Sequence, residues 1–172
     1  MDVRLVQFAE RHLPAFEGML DDPEVKRFTR LPVPAPPDFP RTWLARYEQG
    51  RRDGTSEAFA IEDDAGEFLG CVMAFGIEDD ARTGELGYLV AAGARGRGVG
   101  TAALCLLTEW GFTERGLVRL ELMISVGNAA SKIVAERAGY VREGVLRSLY
   151  VKEGVREDHE LWSCLPSDGW RD

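Results

Sequence analysis

Residues 95–100 read Arg-Gly-Arg-Gly-Val-Gly, between a strand-like run at 86–90 and a stretch at 99–112 whose apolar residues recur at helical spacing. A helix beginning there offers backbone N–H groups without intrahelical partners, and about half a positive charge, to an anion. Glycines let a phosphate come close to that backbone. The same residues also suit a flexible strand-to-helix turn. Two other phosphate motifs do not fit: a P-loop requires Gly-Lys-Ser/Thr, and a dinucleotide fingerprint requires a third glycine where Thr101 stands. Glu85 begins the strand that leads into this turn, and Glu121 lies inside an apolar run. A charge in such a run is costly, so Glu121 either faces a cleft or meets an arginine such as Arg119 or Arg142.

Other reactive side chains receive plainer readings. Asp63, Asp64, Asp79 and Asp80 sit as consecutive acids in Gly-containing turns, which is the pattern of a solvated turn rather than of spaced ligands, so no metal is assigned. His12 and His159 have no partner motif and are read as surface or strand residues. Cys71, Cys105 and Cys164 form neither an even disulfide framework nor a metal spacing, and the first two lie in apolar stretches. That usage suits a reducing, cytoplasmic setting.

The elements that must position these residues follow from periodicity. A strand at 3–8 leads into a helical segment around Pro14, Phe16 and Leu20, and a second helix is expected at 22–29. Residues 31–40 hold five of the eight prolines and form an extended loop, before a helix at 42–48 that the polar run Arg-Arg-Asp-Gly-Thr-Ser ends. Runs at 58–61, 68–75 and 86–90, separated by acidic turns, predict an antiparallel meander. After the helix at 99–112 come a strand at 118–126, a helix at 129–138 and strands at 140–150 and 158–165. The order predicts an α+β domain spanning 1–172: a mixed, mainly antiparallel sheet of about seven strands with helices on both faces.

The chain has 172 residues, 45% hydrophobic and 29% charged, enough for one real core. Its longest apolar stretches stop well short of the roughly 20 residues of a membrane span, and its start lacks an apolar signal core. With 21 basic against 29 acidic residues the net charge is −8, which argues against general nucleic-acid binding.

Two stretches carry a family resemblance. GELGYLVAAGARGRGVGTAAL resembles the acetyl-CoA motif of the GNAT N-acetyltransferase superfamily, with Arg95, Gly98 and Gly100 on its [QR]xxGx[GA] core. VRLELMISVGNAASKIVAERAGYVREGVLR is similar to the strand and helix that follow in that family, in its RimJ/RimL-type variant. The resemblance implies the GNAT fold, and direct acetyl transfer from acetyl-CoA to a primary amine, either a protein N-terminal α-amine or a small molecule. An acyl-CoA-binding domain without turnover is the alternative, and a homodimer is left open.

The resemblance also distributes roles. The backbone of Arg95, Gly96, Arg97, Gly98, Val99, Gly100 and Thr101 would hold the pyrophosphate, with charge from Arg95, while Arg97 serves there or faces solvent. Main chain near Leu89 and Val90 would polarise the thioester carbonyl and pair with the pantetheine like an added strand. Asn128 would bond the pantetheine or cap the following helix. Glu85 is the first candidate for the base, with Glu121 its rival. The tyrosine that many members use as acid falls at Ala135, so Ser131, three residues after Asn128, is the favoured thiolate partner, with solvent as the alternative. Tyr140 is read as packing and Tyr150 as a weaker acid candidate.

Overall fold

The computed structural model describes residues 2–170. β1 (Val3–Gln7) is followed by a short 3-10 turn at Glu10–His12 and three helices, α1 (Leu13–Met19), α2 (Pro23–Phe28) and α3 (Phe39–Asp53). A meander of β2 (Glu57–Asp63), β3 (Phe68–Glu78) and β4 (Thr83–Val90) comes next. Then follow α4 (Val99–Thr113), β5 (Arg119–Ser125), α5 (Ala129–Arg137), β6 (Val141–Lys152) and β7 (Val155–Cys164). Among the described residues these strands make one seven-stranded sheet in the order β1-β2-β3-β4-β5-β7-β6. Every neighbouring pair is antiparallel except β4 and β5. This is the expected α+β architecture, with a helix layer on each face.

Strand alternation divides the core between those faces. Leu86, Tyr88 and Val90 of β4 pack with Val99, Ala103, Leu104 and Leu107 of α4. Leu89, one residue out of phase, packs on the other side with Phe16, Trp43, Leu44 and Tyr47 of α1 and α3.

Several boundaries differ from the sequence reading, those of α3 and β7 among them. α3 begins at Phe39 and ends at Asp53, longer at both ends than 42–48. Pro40 sits in its first turn, where a missing N–H costs nothing, and Gly54 rather than the arginines forms the C-cap. Arg51 and Arg52 belong to the last turn, where their charge suits the helix dipole. β7 begins at Val155 rather than at 158, because Glu153 (φ 47°) and Gly154 (φ 80°) make a two-residue turn whose twist lets β6 and β7 pair from Lys152–Val155 onward.

His12 corrects its reading as a surface or strand residue, since it lies in the 3-10 turn at Glu10–His12. It is buried, and its Nε2 lies 3.1 Å from Glu62, which also meets Arg4 at 3.0 Å and Arg11 at 2.8 Å. Burial opposes ionisation of Glu62, but the bonds from His12 and Arg4 and the charge of Arg11 outweigh it and lower its pKa. Asp63 is a turn residue, accepting from the N–H groups of Ala65 and Glu67 at 2.9 Å each. No helix among the described residues is long and apolar enough to cross a membrane.

Candidate active site

β4 and β5 are paired at one end only: Thr83 with Arg119, Gly84 with Leu120 and Glu85 with Glu121. Beyond Glu85, β4 keeps its ladder with β3 as far as Val90. The two parallel strands therefore part, and a cavity of about 1230 Å³ opens between residues 86–90 and 122–125, bounded by the glycine-rich turn and the start of α5. Main-chain groups of successive strand residues turn to opposite sides. The Leu89 carbonyl is turned toward Gly70 of β3, and the Ala91 N–H donates to Leu69 at 2.8 Å. The main chain of Tyr88 and Val90 thus faces the opening. Of the two strand residues expected to meet the cofactor, Val90 presents its backbone there while Leu89 belongs to the ladder and the core.

Gly96 (φ 71°) and Gly98 (φ 82°) take left-handed conformations that other residues adopt only with strain, and they reverse the chain from strand to helix. Gly98 is the N-cap of α4, and no side chain caps it. The first-turn N–H groups are thus left for a ligand, and Gly96, Gly98, Val99, Gly100 and Thr101 all line the cavity. Arg95 lines the cavity too, and its guanidinium is engaged by the protein. Its Nε donates to the Val90 carbonyl at 3.0 Å and its Nη2 to Asp22 at 2.8 Å. Asp22 in turn caps α2 through the N–H groups of Glu24 and Val25. Arg95 therefore ties the turn to the end of β4 and to α2. Arg97 is exposed and donates to the Gly93 carbonyl at 3.3 Å.

The two sides of β4 carry different chemistry. On the α1–α3 side, Glu85 stands opposite Phe75 of β3 with its side chain 19% exposed and is ion-paired with Arg30, from the loop after α2. Burial raises its carboxyl pKa, Arg30 offsets part of that rise, and Glu121 adds to it. Arg30 also donates to the Tyr150 hydroxyl at 2.7 Å and packs over the Tyr150 and Phe75 rings at 4.6 and 5.1 Å. Glu121 meets Arg119 at 2.6 Å, and Arg142 pairs instead with Glu160. Both carboxylates are ion-paired, and of the two it is Glu85 that lines the cavity.

On the α4–α5 side, the Ser131 hydroxyl lies 2.5 Å from that of Tyr88. Asn128 accepts from the Ser131 N–H at 3.0 Å, the capping alternative among its two readings. Burial pushes the Tyr88 phenol up to about 12, against the effect of its bond with Ser131. Sequence reasoning missed Tyr88. Its parity with Leu86 and Val90 signals the helix-facing side, but nothing local signals that it meets Ser131. Tyr140 is a core residue, as read, its hydroxyl 2.8 Å from Thr108. His159 is buried at the cavity wall, edge-on to Tyr150 with ring centroids 4.8 Å apart.

The chain is similar to known proteins in sequence and in overall fold. Residues 2–141 match the acetyltransferase (GNAT) domain family. The chain belongs to that family. It is 33% identical over 111 residues to "Probable N-acetyltransferase YjcK" of Bacillus subtilis (strain 168), covering 64% of this chain and 60% of the relative. It is 32% identical over 100 residues to "Putative ribosomal N-acetyltransferase YdaF" of the same organism, covering 58% of this chain and 55% of that relative. The matched stretches thus span less than two thirds of those two proteins. Mycobacterium smegmatis RimJ, solved in complex with CoA-disulfide, superposes with a TM-score of 0.87 at 26% identity, covering 95% of this chain and 82% of that one.

Proposed function

We propose that this chain is an acetyl-CoA-dependent N-acetyltransferase, working as one catalytic domain in the reducing cytoplasm, whose acceptor is a protein N-terminal α-amine or a small primary amine. The carrying observation is the parting of β4 and β5, which sets Glu85 on one side of the opening and the Ser131–Tyr88 pair on the other, with the uncapped start of α4 at its end. The first turn of α4 holds the pyrophosphate. Val90 and Tyr88 offer main-chain groups to the pantetheine and the thioester carbonyl. The amine attacks that carbonyl carbon, the N–C bond forms, and the C–S bond breaks. The proton lost by the amine passes to Glu85, directly or through a water, and the leaving thiolate takes one from Ser131, whose hydroxyl is backed by Tyr88. CoA-bound RimJ and the N-acetyltransferase names of the relatives support this reading.

The test is CoA thiol release with a panel of small amines and peptides bearing free N-termini. Because the base must be unprotonated, turnover rises with pH through the Glu85 pKa, which burial places above the ordinary carboxylate value. Glu85→Gln should keep acetyl-CoA affinity, lower kcat about 100-fold and remove that acidic limb. Release with no amine in the panel would refute the activity, and an unchanged limb in the variant would transfer the base role to water.

A further inference from the structure

The setting of Glu85 is that of a cation site. A largely buried carboxylate, the faces of two aromatic rings and a phenol oxygen surround one guanidinium, that of Arg30. An alkylammonium draws on the same elements: opposite charge, ring faces and hydrogen-bond acceptors. Arg30 itself is divided in its attachments. Lys152 donates to the carbonyls of Thr29 at 2.7 Å and Leu31 at 3.2 Å, so the backbone on both sides of Arg30 is pinned. Its side chain is 45% exposed, so the head can turn into water at little desolvation cost. Arg30, Leu31 and His159 line both the large cavity and a second one of about 430 Å³, which Tyr150 and Lys152 help to wall. The guanidinium therefore stands in the wall between two chambers.

We propose that Glu85, Phe75 and Tyr150 form the subsite for the acceptor's cationic amine, entered from the smaller cavity, and that Arg30 is an internal cation occupying it until the acceptor displaces it. The inference rests on the acetyl-transfer reading above, since the cation it admits is the amine to be acetylated. An ammonium and Arg30 compete for the same carboxylate and ring faces, so entry of the one favours departure of the other. The exchange also suits the chemistry. Arg30 holds the Glu85 pKa down, so with Arg30 displaced no cation remains beside Glu85 once the ammonium has given up its proton, and the carboxyl then holds that proton more firmly.

The test compares methylguanidinium binding, by calorimetry, to the parent, Arg30→Ala, Arg30→Gln and Arg30→Lys, each checked for folding by circular dichroism. Arg30→Ala and Arg30→Gln should bind methylguanidinium about tenfold more tightly than the parent, and Arg30→Lys should behave like the parent. Adding Glu85→Gln to Arg30→Ala should erase the gain. In turnover, Arg30→Ala should lower the amine KM, and methylguanidinium should compete with the amine but not with acetyl-CoA. Equal binding to parent and uncharged variants, or a raised amine KM in both, would overturn the proposal. Should no chain turn over any amine, the acetyl-transfer reading fails while the calorimetric comparison still decides whether Arg30 occupies a cation site.

Discussion

Ser131 and Tyr88 show how far one residue's role depends on its neighbour. A serine hydroxyl is a weak acid, but a phenol 2.5 Å away can donate to it as its proton departs, so the pair acts where either alone is poor. Ser131→Ala and Tyr88→Phe should both slow turnover by about 10-fold, less than the roughly 100-fold or more of a full general acid, because a thiolate is a good leaving group. The sharper measurement varies the acyl donor. A leaving group of higher pKa needs the proton more, so sensitivity to its pKa should rise in both variants. Dependence identical to the parent's would leave Ser131 as a first-turn residue of α5 and assign protonation to solvent. Glu85 and Glu121 illustrate the same point: both are carboxylates on neighbouring strands, directly paired in register, and their arginine partners distinguish them.

At the scale of the element, the start of α4 depends on Gly98 in two separable ways. Its φ of 82° strains any L side chain, and a side chain there also screens the free N–H groups. No atom lies within 4 Å of a Cβ built on Gly98, so Gly98→Ala meets conformational strain rather than a clash in the folded protein. The expected outcome is a stability loss of about 1 kcal/mol, together with an acetyl-CoA affinity reduced by more than that strain explains. Calorimetric binding unchanged in a folded Gly98→Ala would move the pyrophosphate away from this turn. Arg95 belongs to this scale as well. By bonding Val90 and Asp22 it joins the turn to β4 and to α2, and so fixes the angle at which α4 leaves the sheet.

Across the whole molecule, the opening between β4 and β5 divides a sheet whose other neighbouring strands pair along most of their lengths. A ligand that spans it adds contacts to both halves at once. Acetyl-CoA at 100 times its Kd should stabilise the fold by about 2.7 kcal/mol, a Tm rise of roughly 5–10 °C for a chain of this size. Differential scanning calorimetry with and without acetyl-CoA checks this. A Tm that does not move at saturating ligand would show that the cavity is not the cofactor's site.

The sequence by itself determined the order of the elements, a mixed and mainly antiparallel sheet, and the glycine turn that opens α4. Each is written in local periodicity or in backbone conformations that few residues allow. It also singled out Glu85, Asn128 and Ser131, all of which line the cavity. The extents of α3 and β7 were less legible, because Pro40 and the Glu153–Gly154 turn act within an element's first turn or between strands already aligned. Only the tertiary structure decided which charges meet. Arg95 with Asp22, Tyr88 with Ser131 and Arg30 with Glu85 join elements whose approach is set by packing across the sheet, whereas Arg119, two residues from Glu121 on one strand, was already a partner the sequence offered. Arg30 and Glu85 are 55 residues apart; no local pattern brings them together, and the cation site they share exists only because α2's loop, β4 and β6 converge where the sheet parts.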